Sequence, residues 1–141
     1  ITILSIRIIC MQRKIIYKDL SYKINGLLFN VHKNLGIYKK EKQYGDYLEY
    51  LLREEDIKYI REYKFEDKKY GNDKIRCICD FIIDDKIILE LKAKNFINKE
   101  DYYQVKRYLT TLDLLLGILI NFRQYRLTPK RVLNSDYLKT N

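Results

Sequence analysis

The stretch Cys77-Ile78-Cys79-Asp80-Phe81-Ile82-Ile83-Asp84-Asp85-Lys86-Ile87-Ile88-Leu89-Glu90-Leu91-Lys92-Ala93 is the most apolar in the chain, and its reading decides the fold. Two runs rich in β-branched residues flank the polar Asp84-Asp85 turn, which predicts paired strands over 75–83 and 87–94. Inside those runs stand Asp80, Glu90 and Lys92. An unpaired ion in a buried strand costs roughly several kcal/mol even after relaxation. Charges retained there are expected to hold something. A carboxylate pair beside an ammonium suits the binding of Mg²⁺ and the positioning of water against a phosphodiester. A purely structural ion cluster is the alternative.

Glu90-Leu91-Lys92 is a weak signal by itself, because Glu62-Tyr63-Lys64 and Glu66-Asp67-Lys68 repeat the pattern in a chain that is 33% charged. Context separates it from them. Glu90 and Lys92 alternate with Leu89, Leu91 and Ala93, so on a strand they share one face while the apolar residues take the other. Register then supplies a test. A two-residue turn, Asp84-Asp85, would set position 79 opposite 90 and point Asp80 away from Glu90. A three-residue turn (84–86) or a bulge sets Asp80 opposite Glu90. A metal site demands the second arrangement.

Outward from this hairpin, Leu20, Ile24, Leu27, Leu28, Val31 and Leu35 recur at helical spacing, with Gly36 as a cap. A second helix is predicted over about 39–55, with Tyr44, Tyr47, Leu48, Leu51 and Leu52 as its apolar stripe. A first strand covers about 57–66, and the polar 67–74 loop leads into the hairpin. A third helix, about 98–113, opens on Asn98 with Glu100 and Asp101 in its first turn, and Gln104 and Tyr108 share a face four residues apart. Residues 115–122 read as a central strand and 125–133 as an edge strand that tolerates Pro129. The order is ααβββαββ, a mixed sheet with helices packed on it.

At 141 residues the chain is one domain, and 47% hydrophobic residues with 5 Gly and 1 Pro exclude a disordered protein. The net charge of +9 favours a polyanion, nucleic acid before membrane, although abundant Lys, Ile, Asn and Tyr without Trp also fit an AT-rich coding sequence. Cys10, Cys77 and Cys79 make no disulfide framework, zinc knuckle or iron–sulfur set, and Cys77 and Cys79 read as small apolar strand residues in a reducing cytoplasm. The lone histidine, His32, excludes histidine-rich metal sites and is expected on a helix surface. No stretch reaches the roughly 18–20 apolar residues of a membrane span. Residues 1–10 lack the marks of a signal peptide, and Met11 suggests that they are an upstream extension of a domain spanning 11–141.

Taken in order, these pieces resemble the PD-(D/E)XK nuclease superfamily, and most its GxxExxR branch, related to the RecB-like nucleases. The resemblance spans Ile16 to Asn134 and rests on Leu20-Ser21-Tyr22-Lys23-Ile24, Leu35-Gly36 with Glu41 and Tyr44, Cys79-Asp80-Phe81 and Ile88-Leu89-Glu90-Leu91-Lys92-Ala93. It continues through Gln104 and Tyr108-Leu109, Leu116-Gly117-Ile118-Leu119-Ile120-Asn121-Phe122 and Lys130-Arg131. It departs at Tyr38 and Tyr44, where the Gly-x-x-Glu-x-x-Arg pattern has glycine and arginine.

The resemblance implies a restriction-endonuclease-like fold and Mg²⁺-dependent hydrolysis of phosphodiesters, in DNA before RNA, with Mn²⁺ as a substitute. It implies that Asp80, Glu90 and the Leu91 carbonyl bind the metal. Glu41 completes that set or holds a metal-bound water, Lys92 acts on the attacking water or the phosphate charge, and Gln104 bonds to the site or the scissile strand above a supporting Tyr108. A nuclease fold that binds nucleic acid or a protein without cutting is the alternative, and a homodimer is left open.

Overall fold

A computed structural model of the chain describes residues 3, 16–67 and 74–134. The expectations for residues 1–10 and Met11 fall on a segment of which Ile3 alone is described. Helices α1 (Lys18–Leu35) and α2 (Glu41–Glu54) precede strands β1 (Tyr59–Asp67), β2 (Ile75–Ile83) and β3 (Ile87–Lys92). Helix α3 (Lys99–Leu112) and strands β4 (Leu116–Asn121) and β5 (Lys130–Leu133) follow, giving the order ααβββαββ. The strands form one five-stranded sheet in sequential order, with β3 and β4 parallel and the other neighbours antiparallel.

Local chemistry accounts for the elements. Ile24, Leu27, Leu28 and Val31 give α1 a buried stripe, and Gly36 closes it at φ 75°, a left-handed conformation, donating its N–H to the His32 carbonyl at 2.9 Å. Asn98 and Asp101 cap α3 reciprocally, each side chain accepting the other's main-chain N–H at 3.0 Å. β4 is buried at every position and β3 at all but Lys92, as strands covered on both faces require. Leu89, Leu91, Leu116, Ile118 and Ile120 pack with α1 and α2 on one face. Ile88, Leu119 and Cys79 meet Val105, Tyr108 and Leu109 of α3 on the other.

The last strand is shorter than the sequence predicts. Residues 122–129 are irregular and β5 begins at Lys130, because Pro129 has no N–H to give a ladder and Leu127 turns inward to the core. The other ends shift by one or two residues.

The β1–β2 ladder holds a feature invisible to a strict two-residue period. Register is constant on both sides, Arg61↔Phe81 and Tyr63↔Cys79, but the intervening Glu62 and Asp80 are unpaired and Glu62 sits at φ 54°. Tyr59, Phe81 and Ile83 face α1 and α2, whereas Tyr63, Phe65, Cys77 and Cys79 face α3. Each strand therefore turns over at one residue, and one of those two residues is Asp80.

Gly117 lets α3 close on the sheet, since a Cβ there would lie 2.5 Å from Val105 Cγ1. Gly117→Ala is expected to destabilise the fold by about 1–3 kcal/mol through overpacking. Urea unfolding should show the loss, and Val105→Ala in the same chain should recover part of it.

Candidate metal and catalytic site

The hairpin turn contains three residues, 84–86, and β2 and β3 pair as Phe81↔Leu89, Ile82↔Ile88 and Ile83↔Ile87. One step further along that register Asp80 meets Glu90, the arrangement a metal site demands. There the strands exchange side chains for main-chain bonds. The Asp80 N–H donates to Glu90 Oε1 at 2.9 Å, and the Leu91 N–H donates to Asp80 Oδ2 at 2.7 Å. One oxygen of each carboxyl group is thereby committed to the backbone.

Electrostatics shows what the pair lacks. Burial, then the charge of Asp80, pushes the Glu90 carboxyl up to about 8. Burial also raises Asp80, against the pull of the Leu91 amide and the Lys92 ammonium. The pair thus retains a proton that ordinary carboxyls would have lost. A divalent cation can supply the same missing positive charge, so the donor chemistry fits one. Among the described residues no group of three or more His, Cys, Asp and Glu converges as a cage. Main-chain oxygen and water would have to complete the shell, as Mg²⁺ commonly permits.

Lys92 lies on the α3 side of the sheet, its Nζ 3.5 Å from Gln104 Oε1 and 3.8 Å from Asp101 Oδ1. Gln104 is therefore beside Lys92, and Tyr108, one turn on, is buried against the Phe65 ring at 5.0 Å. Burial, then Glu90's charge, pushes the Tyr108 hydroxyl up to about 12. Glu41 heads α2 and is exposed at the rim of a cleft of about 250 Å³ that also reaches Gly45, Arg61, Asp80, Phe81 and Leu91. Partial burial, then Asp80's charge, raises its carboxyl, and the Lys92 ammonium lowers it. Glu41 and Asp80 thus meet across the cleft, whereas Glu90, Lys92 and Gln104 approach from the α3 face.

Two further residues belong here. Arg61 is held by Asp46 at 2.7 Å and Glu49 at 3.3 Å, lies over the Phe81 ring at 5.6 Å and lines the cleft. Gly45 admits it, since a Cβ there would lie 2.7 Å from an Arg61 terminal nitrogen. A glycine inside a helix pattern was the signal available in sequence. Asp101, read from sequence only as a helix-dipole residue, is a buried anchor for Lys92 and Lys94. Its burial works to raise its pKa, but the Lys94 ammonium and Asn98 amide hold it below the usual carboxylate range.

Comparison with known proteins gives the family and the fold. The sequence profile of the PD-(D/E)XK nuclease superfamily matches residues 18–132. No curated protein matches the chain. The crystal structure of SSO0001 superposes with a TM-score of 0.51 at 23% identity, covering 63% of this chain and 47% of that one, a likeness of fold. This chain thus spans about half the length of that relative.

The raised Glu90 pKa has a direct consequence for stability. The neutral form is favoured on folding, so its contribution is full below the ordinary value of 4.5 and is lost as pH rises through about 8. Without metal, stability should therefore fall across this window relative to Glu90→Gln, which lacks the titration. Thermal melts at both ends of the window measure the difference, and Mg²⁺ should narrow it at the alkaline end.

Proposed function

This chain belongs to the PD-(D/E)XK nuclease superfamily, and we propose that it is a divalent-metal-dependent nuclease that hydrolyses phosphodiester bonds, DNA before RNA. The exchange of carboxylates and main-chain amides between Asp80, Glu90 and Leu91 carries the reading. Within the superfamily we place it in the GxxExxR branch near the RecB-like nucleases, on the order and spacing of its motifs. Tyr44 stands where that pattern has arginine; its hydroxyl donates to the Gly36 carbonyl at 2.6 Å and its ring stacks on Phe122 at 4.3 Å. The free, buried Cys77 and Cys79 are in keeping with a reducing cytoplasm. No helix among the described residues is long and apolar enough to cross a membrane.

Asp80, Glu90 and the Leu91 carbonyl would hold Mg²⁺ or Mn²⁺, with Glu41 contributing from the rim. Such an ion, when bound, supplies Lewis-acid charge to the phosphodiester and to the attacking water. The protein's own groups do the rest. Gln104 and Asp101 hold the Lys92 ammonium beside the carboxylates, where it can donate to a phosphate oxygen as negative charge develops. Tyr108 fixes the floor beneath Gln104, and Asp101 limits the swing of Lys92.

A nuclease fold that binds without cutting is the second reading, favoured by the lack of a three-carboxylate cage among the described residues. Variants separate the two. Lys92→Ala keeps both carboxylates, so metal and DNA affinity should persist while cleavage falls by about 10²-fold or more. Asp80→Asn should abolish cleavage without weakening DNA binding. If the unaltered protein cuts neither DNA nor RNA with Mg²⁺ or Mn²⁺, the nuclease reading fails.

A further inference from the structure

Charge is not spread evenly over the ends of the sheet. At the carboxyl ends of β3 and β4, marked by the Lys92↔Asn121 pair, three connecting segments meet. Arg123, just past β4, donates to the Ile37 and Lys39 carbonyls at 3.4 and 3.3 Å and so ties the 36–40 segment to this end. The Asn121 amide exchanges hydrogen bonds with the main chain of Lys94 at 3.1 and 2.7 Å, fixing the 93–98 segment there.

Segments 36–40, 93–98 and 122–129 carry five cations, Lys39, Lys40, Lys94, Arg123 and Arg126, and no acid. The first turns of α2 and α3 beside them add Glu41, Glu100 and Asp101 with Lys42 and Lys99, and Lys94 pairs with Asp101, so the balance at this end stays positive. At the opposite end, segments 55–58, 84–86 and 113–115 carry five acids and two lysines. The Asp84 N–H to Lys58 carbonyl bond of 2.8 Å and the Ile87↔Leu116 pair bring those segments together. A polyanion is thus drawn to the end that holds Lys92 and Glu41 and repelled from the other.

Each basic segment also presents an aromatic ring to solvent. Tyr38 is 81% exposed, Phe96 80% and Tyr125 87%. Among the described residues Tyr22, at 80%, is the other aromatic side chain so exposed, and it lies on α1. These rings are not excess core. Their segments are anchored by the bonds above, while the rings stay out of both apolar clusters. A duplex hides its base faces in its own stack, whereas an unpaired strand offers them to aromatic side chains.

We infer that this end of the sheet is a platform for single-stranded nucleic acid, with phosphates on the cations and unpaired bases stacked on Tyr38, Phe96 and Tyr125. That the bound strand is also the one cut rests on the nuclease reading; the binding does not.

Fluorescence anisotropy in EDTA tests the binding with no cleavage possible. Labelled DNA and RNA strands of about 20 nucleotides, longer than a usual footprint of ~4–16, are compared with the DNA duplex of the same sequence. At equal salt, single-stranded DNA or RNA should bind about 10-fold or more tighter than duplex. Alanine at Tyr38, Phe96 or Tyr125 should weaken that binding about 5-fold or more each, whereas Tyr22→Ala should leave it unchanged. Leucine at the three positions keeps the apolar surface but removes the stacking face, and should bind as poorly as alanine.

Duplex binding as tight as single-strand binding overturns the inference. So does an alanine triple variant that matches Tyr22→Ala, or a leucine variant that matches the unaltered protein. A protein that prefers single strands but cuts nothing in Mg²⁺ leaves the platform standing and removes the nuclease reading. One that cuts duplex and shows no single-strand preference does the reverse.

Discussion

Two main-chain amides, those of Asp80 and Leu91, bond to the carboxylates of Glu90 and Asp80, and the site depends on that exchange. β2 and β3 pair regularly up to Phe81↔Leu89, and beyond it the side chains take over two donors that the ladder would have used. Hydrogen bonds to a charged group contribute roughly 1.5–3 kcal/mol each, enough to offset much of the cost of burying a carboxylate. They do not neutralise the second negative charge. A proton or a cation would meet that deficit, and the proposed metal-dependent hydrolysis rests on the second.

The remaining architecture brings other groups to that point. Both α2 and α3 begin at the same end of the sheet, so Glu41 and Asp101 stand in first turns that face it. The β3–β4 pair is parallel, and its carboxyl ends open where the basic segments meet, the usual place for ligands in open α/β sheets. Gly45 and Gly117 do related work on opposite faces. One admits Arg61 beside the cleft and the other lets Val105 and Leu109 seat α3 under the site.

Much of this was legible in the residues. The charged positions inside an apolar hairpin marked Asp80, Glu90 and Lys92, and the helical spacing of Ile24, Leu28 and Val31 marked the first helix. The turn length could not be read, because Asp84-Asp85 and Asp84-Asp85-Lys86 are both good turns; only the demand for Asp80 opposite Glu90 chose between them. The overturning of both strands at Glu62 and Asp80 was not legible, since a glutamate at φ 54° has no local signature and is set by the sheet. Arg61 and Asp101 were missed because surface-type residues become buried partners only through tertiary packing.

Calorimetric titration of Mn²⁺ into the protein near neutral pH, in buffers of different ionisation enthalpy, tests the carboxylate pair most directly. One saturable site is expected, whose occupation releases up to about one proton drawn from the Asp80–Glu90 pair, with both signals lost in Asp80→Asn. Saturable binding that survives Asp80→Asn unchanged, or no binding by the unaltered protein, would contradict it.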